Sequence, residues 1–186
     1  MQIEKDGIKK LNLGAGKDIR YGFDNHDIAK LPGMGLVFDL NKFPYPIKNN
    51  IYDYILANHC IMYILHLDKF FNEIHRIAKP NAIIDIVCPH ISANFCNVFS
   101  YHYFSIGTLN ELEGLSSGFH KVKNFKILER KIIFREARYL GFFMKTISRM
   151  ITTFFNLNKK MQFIADRLVS KYMPFYSVSY KLKVVK

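Results

Sequence analysis

The chain has 186 residues, 49% of them hydrophobic and 15% aromatic, which suits one globular domain with a proper core and excludes a disordered chain. Its formal net charge of +12 is unevenly distributed. Residues 119–186 contain 16 Lys or Arg and three Asp or Glu, whereas residues 1–118 contain 11 and 12. This basic last third has two interpretations. It could bind nucleic acid, anionic lipid or a phosphorylated substrate, or it could be a basic surface that only contacts solvent.

The cysteine content indicates a reduced, cytoplasmic protein without structural zinc, because the cysteines are odd in number and lack C-x-x-C spacing. No metal site is expected, since the candidate ligands fit no common zinc pattern: Cys88, His90, Cys96 and His102. The polar residues 1–10 lead us to expect no signal peptide. The sequence also has no apolar run of about 20 residues, so no membrane span is predicted.

The first predicted strand, residues 9–13, ends in the segment Gly14-Ala15-Gly16. Glycine lets the backbone take unusual dihedral angles and approach a ligand closely, although a simple turn explains such a pair equally well. Four more strands are predicted from apolar runs between turn signals: residues 21–25, 36–39, 52–57 and 82–88.

An amphipathic helix is predicted between the fourth and fifth strands, over residues 68–79, with Asp68 as its N-cap. Pro80-Asn81 should end the helix and turn the chain into the fifth strand, which completes a parallel βαβ unit. Residues 14–20 are too few for a helical crossover, so either this connection is a bare loop or turn of helix, or the second strand is misplaced.

The pattern changes after Gly118, where two strands, residues 125–134 and 177–185, look like antiparallel partners at a sheet edge. Two helices are predicted between them, within residues 139–157 and 159–172. The predicted fold class is therefore α/β: a mostly parallel open sheet with an antiparallel strand near the C-terminal edge. Residues 139–172 form a helical insertion within a single domain, 1–186.

Six landmarks in order resemble the class I S-adenosylmethionine-dependent methyltransferases, which have a Rossmann-like fold. The resemblance is strongest to small bacterial and archaeal members that are often encoded with glycan-biosynthesis genes. The landmarks are the sequence Leu-Asn-Leu-Gly-Ala-Gly at 11–16, followed by residues 22–27, 38–46, 52–59, 74–81 and 88–90. Six matches in the right order are far more specific than any one of them.

The resemblance implies that S-adenosylmethionine is the cofactor and assigns its contacts. Gly14, Ala15 and Gly16 would approach its amino acid end. Asp27 would accept the ribose hydroxyls. The remaining contacts would be Asp39 at the adenine amine, Leu40 on the ring and Asn58 beside the sulfonium. The alternative for Asp27 and Asp39 is turn capping, which short polar side chains do routinely.

Methyl transfer to an oxygen acceptor often needs a base, because the hydroxyl proton must leave. His59 and His90 are the candidate catalytic residues, and His102 and Tyr103 are expected on the substrate side. The alternative is that each histidine is a hydrogen-bonded structural residue.

The substrate half departs from the family pattern. Ile61-Met62-Tyr63 stands where Leu-Glu-His is frequent, so an acid and an imidazole are missing. The leading expectation is methyl transfer to a small-molecule or saccharide acceptor, which could be lipid-linked. The alternatives are a nucleic-acid methyltransferase that uses the basic last third, and a catalytically inactive cofactor-binding or partner protein.

The helical insertion is expected to cap the acceptor side of the crevice. Its first helix has an apolar sector close to half its circumference, and basic residues surround it. This pattern is typical of a helix docked on the core, and also of a peripheral contact with an anionic membrane.

Overall fold

The computed structural model describes residues 7–93, 99–113, 125–134, 142–171 and 177–186. Within these ranges seven strands and three α-helices are formed. In chain order they are β1 (Lys10–Leu13), β2 (Asp24–Asp27), β3 (Leu36–Val37), β4 (Tyr52–Asn58), α1 (Leu67–Ile77), β5 (Ala78–Pro89), β6 (Phe125–Ile133), α2 (Phe142–Phe155), α3 (Lys159–Arg167) and β7 (Ser177–Val184). Short 3-10 helices occur at Ile61–Tyr63, Asn110–Glu113 and Val169–Lys171.

All seven strands join one sheet in the order β3-β2-β1-β4-β5-β7-β6. Strands β1 to β5 are mutually parallel, and β7 is antiparallel to both of its neighbours, β5 and β6. The predicted mostly parallel sheet with an antiparallel strand near the C-terminal edge is thus confirmed. The edge itself is β6, because β7 inserts between β6 and β5.

The core lies where α1 covers the central strands. Apolar side chains recur on one face of α1, and Phe70, Phe71, Ile74 and Ile77 are all buried there. Alternate residues of β5 are buried as well, as expected for a strand in which every second side chain faces the same side. Burial of each large side chain contributes roughly 1.5–3 kcal/mol, and this holds the central strands in register.

Strand β2 is displaced from its predicted position, and its sequence is Asp-Asn-His-Asp rather than an apolar run. The predicted strand, residues 21–25, contains the aromatic residues Tyr21 and Phe23. In the structure Tyr21 is fully exposed and Gly22 turns the chain with a φ of 76°. No helix forms between Leu13 and Asp24, so this connection is a bare loop, as one of the two alternatives proposed.

The corner between α1 and β5 also differs from the prediction. The helix ends at Ile77, and Pro80 and Asn81 lie inside β5. Asn81 has a φ of 65°, and the pairing register with β4 shifts between Tyr52 and Tyr54, so the expected turn is a bulge. The N-cap of α1 is His66 rather than Asp68. Asp68 lies in the first turn instead, where its charge favours the helix dipole.

Helices α2 and α3 form a hairpin between β6 and β7. Their inner faces pack on a small cluster of Ile132, Phe134 and Ala165, to which Ile151 and Phe155 of α2 contribute. Residues 139–141 and 172, which the predicted helices included, lie outside the described residues. Across the described ranges, no helix has the length and apolar character needed to cross a membrane.

Candidate active site

The carboxyl ends of five parallel strands meet at one edge of the sheet. The strand order reverses between β1 and β4, because β1 is followed outward by β2 and β3 and β4 is followed by β5. Open α/β sheets bind ligands in the crevice at such a reversal. The residues that follow β1, β2, β3 and β4 therefore define the candidate site.

Gly14 and Gly16 both have left-handed backbones, with φ values of 60° and 53°. Their surroundings differ. A Cβ added at Gly14 would lie 2.4 Å from the Cβ of Cys60, whereas one added at Gly16 would meet nothing within 4 Å. Gly14 is thus required by packing, and Gly16 adjoins open space into which a ligand can fit.

Two buried asparagines hold the loop that follows β1. The amide of Asn12 donates to the carbonyl of Asp18 at 2.8 Å and to Oδ1 of Asn25 at 3.1 Å. The same Oδ1 accepts the backbone N–H of Arg20 at 3.0 Å. These bonds satisfy two side chains that would be costly to bury unpaired. Sequence reasoning assigned no role to either, although a polar residue inside a buried strand is the signal that could have found them.

His26 links two loops of the crevice. Its Nδ1 accepts the backbone N–H of Gly14 at 3.3 Å, so its Nε2 carries the proton and donates to the carbonyl of Phe38 at 2.9 Å. The side chain is buried, and this burial lowers its pKa. A neutral imidazole therefore fixes the glycine loop relative to the segment that leads to Asp39. Sequence reasoning also missed this residue.

Asp27 and Asp39, the predicted ribose and adenine contacts, both cap local turns. Oδ2 of Asp27 accepts the N–H of Gly16 at 2.9 Å and its Oδ1 accepts that of Ala29 at 3.1 Å. Oδ1 of Asp39 accepts the N–H of Asn41 at 2.9 Å. Because a carboxylate has about four acceptor positions, both residues keep capacity for a ligand donor. Capping and ligand binding are compatible here.

Leu40 is buried, and its carbonyl accepts the hydroxyl of Tyr45 at 2.9 Å. Asn41 connects this segment to the exit of β4, since its amide donates to the carbonyl of Tyr63 and its Oδ1 accepts the N–H of Leu65. The segment that follows β3 is therefore held at both ends.

Asn58 ends β4, and His59 follows with a φ of 53°, a conformation that few non-glycine residues adopt. The N–H of His59 donates to the carbonyl of Val87 at 2.8 Å. Its ring is half-buried, its Nε2 lies 3.5 Å from Oγ of Ser177, and burial lowers its pKa. With this backbone conformation the imidazole lies beside Ser177, the first residue of β7.

His90 follows β5 and is fully buried. Its Nδ1 accepts the N–H of Ser92 at 3.1 Å, and its Nε2 donates to Oδ1 of Asp166 at 2.9 Å. Asp166 belongs to α3 and also accepts the N–H of Ile106 at 3.0 Å. Both ring nitrogens are therefore engaged, which is the arrangement of the structural alternative for His90.

His102 and Tyr103 lie in an extended segment beside the exits of β4 and β5. The N–H of Tyr101 donates to the carbonyl of Met62 at 2.9 Å. A small cavity of about 10 Å³ lies beside this segment and has room for roughly one water. It is lined by Met62, Pro89, His90, Ala93, Ser100, His102 and Tyr103. Nε2 of His102 is buried and has no hydrogen-bond partner among the described residues.

The metal-ligand set considered above is not assembled in the described parts of the chain, where no three His, Cys, Asp or Glu side chains could hold an ion. Cys60 and Cys88 are buried free thiols, and burial raises the pKa of Cys60 to about 12. Cys96 lies outside the described residues.

Solved structures share this fold. A chain in the complex of the Haloferax volcanii Trm112 methyltransferase activator matches with a TM-score of 0.60 and 10% identity, over 97% of this chain and 84% of that one. The S-adenosylmethionine-dependent methyltransferase of Mesorhizobium loti matches at 0.56 and 14%, over 95% and 91%. The [4+2]-cyclase SpnF matches at 0.58 and 14%, over 96% and 75%. At such identities the likeness shows the fold alone.

A comparison of the sequence with protein families adds a second finding. Residues 18–86 match a protein-family model described as a methyltransferase domain, and this match begins in the loop after β1 and ends inside β5. No curated protein sequence matches the chain. The methyltransferase-domain match covers residues 18–86, and the fold is that of solved S-adenosylmethionine-dependent methyltransferases. Together they support methyl-transfer activity with S-adenosylmethionine as the cofactor.

The residues present fit that cofactor. Gly16 leaves open space where a side chain would intrude, and the carboxylate of Asp27 beside it retains acceptor positions for a diol. The glycine loop would contact a cofactor that carries a positive sulfonium. His26 behind this loop is neutral, so it does not repel that charge.

Proposed function

We propose that this protein transfers a methyl group from S-adenosylmethionine to a small-molecule or saccharide acceptor. One observation carries the proposal: Gly16, with open space before it, lies beside the carboxylate of Asp27 at the point where the strand order reverses. This geometry supports Gly14, Ala15, Gly16 and Asp27 as the cofactor contacts after β1 and β2. Asp39, Leu40 and Asn58 would complete them.

The acceptor side is proposed on the surface around the one-water cavity that Met62 and His102 line. The unpartnered Nε2 of His102 offers it a polar contact. Phe99, Tyr101 and Tyr103 alternate along the same segment, and each is at least half exposed. Exposed aromatic rings beside a polar cavity suit a ring-shaped acceptor with hydroxyl groups, which supports a saccharide within the proposed class.

Bound S-adenosylmethionine supplies a methyl group that is already activated by the sulfonium. The protein then has to align the acceptor and to take its proton. We assign the role of the base that accepts this proton to His59, because its lowered pKa keeps the imidazole neutral near pH 7. His90 would instead position the segment around the cavity, because Ser92 and Asp166 occupy its ring nitrogens.

A second candidate, a cofactor-binding protein without turnover, is favoured by one observation. Met62 and Tyr63 occupy the positions where the family often has an acid and an imidazole, and Met62 is buried. The two replacements remove ionisable groups that would otherwise face an acceptor.

The experiment measures cofactor affinity by calorimetry and formation of S-adenosylhomocysteine with saccharide, small-molecule and nucleic-acid acceptors in parallel. We expect binding of the cofactor and turnover with an acceptor of the first two classes. Binding without any turnover would favour the second candidate, and turnover of nucleic acid alone would overturn the acceptor class. Absence of cofactor binding would overturn the proposal altogether.

A further inference from the structure

The α2–α3 hairpin buries only part of its apolar surface. Ile151 and Phe155 of α2 face the cluster on β6. The apolar residues on the opposite side are each more than half exposed: Met150, Phe154, Leu157, Phe163 and Leu168. Exposed apolar side chains clustered on one short hairpin mark an interaction surface, whereas isolated ones would need no explanation.

The outer face of α3 and of the 3-10 turn that follows it has a regular pattern. Lys160, Phe163, Ile164, Arg167, Leu168 and Lys171 recur at helical spacing, and all six are exposed. The guanidinium of Arg167 lies 5.4 Å from the ring centre of Phe163, so basic and apolar groups share this face rather than occupying separate ones. Long basic side chains can lie beside apolar ones at a membrane interface, because their apolar stems stay with the apolar groups while their charged ends reach the lipid phosphates.

The charge of the hairpin is strongly one-sided. Residues 142–171 contain six Lys or Arg and one acidic residue, Asp166, which faces inward to His90. A surface of this kind is complementary to an anionic partner. A second copy of the chain would bring like charges together. Two of the exposed side chains, Phe154 and Phe163, are aromatic, but Met150, Leu157 and Leu168 are aliphatic, and such a mixed apolar face suits a lipid interior better than a groove in which bases stack.

We propose that the outer face of α2 and α3 is a docking surface for an anionic lipid bilayer. The apolar residues would enter the headgroup boundary, and Lys160, Arg167 and Lys171 would contact the lipid phosphates. This proposal goes beyond the methyl-transfer function and does not depend on it.

The test is sedimentation of the full chain with vesicles of phosphatidylcholine alone or mixed with phosphatidylglycerol. We expect association with the mixed vesicles at low salt, little with phosphatidylcholine, and release at high salt. The charge-reversed variant K160E/K171E should bind the mixed vesicles about tenfold more weakly or worse. The matched control K48E/K69E makes the same charge change at exposed sites outside the hairpin and should bind as the wild type does.

The apolar contribution is tested with L157S/L168S against the control I8S/Y21S, which changes two other exposed residues. Loss of vesicle binding in the first variant alone supports insertion. The proposal is overturned if the wild type ignores mixed vesicles at low salt, or if both hairpin variants bind as the wild type does. It is equally overturned if the hairpin variants instead abolish self-association or RNA binding while vesicle binding persists. Cofactor affinity, measured without vesicles, should be the same in all four variants and thus separates this outcome from failure of the proposed function.

Discussion

His90 and Asp166 form a hydrogen bond of 2.9 Å between the end of β5 and helix α3. It joins the central sheet to the α2–α3 hairpin across 76 residues of sequence. Burial alone would raise the pKa of Asp166, but the hydrogen bonds from His90 and from the N–H of Ile106 outweigh it and lower the pKa. The carboxylate is therefore ionised at neutral pH and holds α3 against the end of β5.

Asp166→Asn should destabilise the protein by about 1–3 kcal/mol, because the charge-assisted bond to His90 is lost while His90 stays buried. Denaturant unfolding measures this change. Asp68→Asn in the first turn of α1 is the control, and it should cost less than about 1 kcal/mol. An unchanged midpoint in Asp166→Asn would contradict a structural role for this link.

The burial of His26 predicts a pH dependence of stability. Its pKa is lowered in the folded state, so the unfolded chain binds the proton first as the pH falls. The contribution of His26 is complete above its ordinary pKa of 6.5 and is lost as the pH falls from there toward the lower folded-state value. Unfolding curves at about pH 7.5 and 5.5 should show this loss.

His26→Gln is the matching variant, because an amide can also accept from Gly14 and donate to Phe38. It should be less stable than the wild type at neutral pH, yet lose less stability on acidification. His59 also has a lowered pKa, so some dependence will remain. Equal pH dependence in the two proteins would show that His26 is not the titrating group.

Gly14→Ala and Gly16→Ala should have different effects, the first mainly on stability and the second mainly on cofactor binding. Both add a side chain at positive φ, which costs roughly 1 kcal/mol or more. The Cβ at position 14 would also lie 2.4 Å from that of Cys60, so we expect several kcal/mol of destabilisation there. At position 16 it meets open space, so Gly16→Ala should fold and instead weaken cofactor binding. Thermal unfolding and calorimetry on both variants check this contrast.

Asp27→Ala should weaken cofactor binding by about 1–3 kcal/mol if its carboxylate accepts the ribose hydroxyls. The same change removes the acceptor for the N–H groups of Gly16 and Ala29, so part of any loss would come from the loop. Asp27→Asn helps to separate the two contributions, because its amide oxygen can still accept one of these N–H groups while the negative charge is removed. Unaltered affinity in Asp27→Ala would remove Asp27 from the site.

The proposed base is tested with His59→Asn, since Asn tolerates the left-handed backbone at this position. Cofactor affinity should persist, and the turnover number should fall by roughly 10²–10⁴-fold. His66→Asn at the exposed start of α1 is the control and should turn over normally. Full activity in His59→Asn would assign the proton to another group, and His102 would be the next residue to test.

Most of the sheet, and the edge at which its crevice lies, could be predicted from the sequence. Apolar runs and alternation predicted β4, β5 and β7 closely, because burial on one or both faces imposes a period on the sequence. The glycine segment, Asp27 and Asp39 were assigned from the family resemblance instead. They lie at one edge of the sheet because each follows a parallel strand, and their contacts to the cofactor stay a prediction.

The hydrogen bonds that hold the site could not be predicted from the sequence. Asn12, Asn25 and His26 lie in strands, and their bonds to Asp18, Arg20 and Phe38 close only after the chain has folded. No sequence period marks such residues, because a buried polar group is stabilised by partners from other segments. The same reason explains the error at β2, whose four polar residues form a strand through pairing with β1.

The hairpin shows the same division between sequence and structure. Its apolar sector was evident from the sequence, which could not say how much of it the core would cover. The sheet offers it only the small surface around Ile132 and Phe134, so Ile151 and Phe155 turn inward while Met150 and Phe154 stay in solvent. Which apolar side chains remain exposed depends on the area available beneath them, and only the packed structure fixes that area.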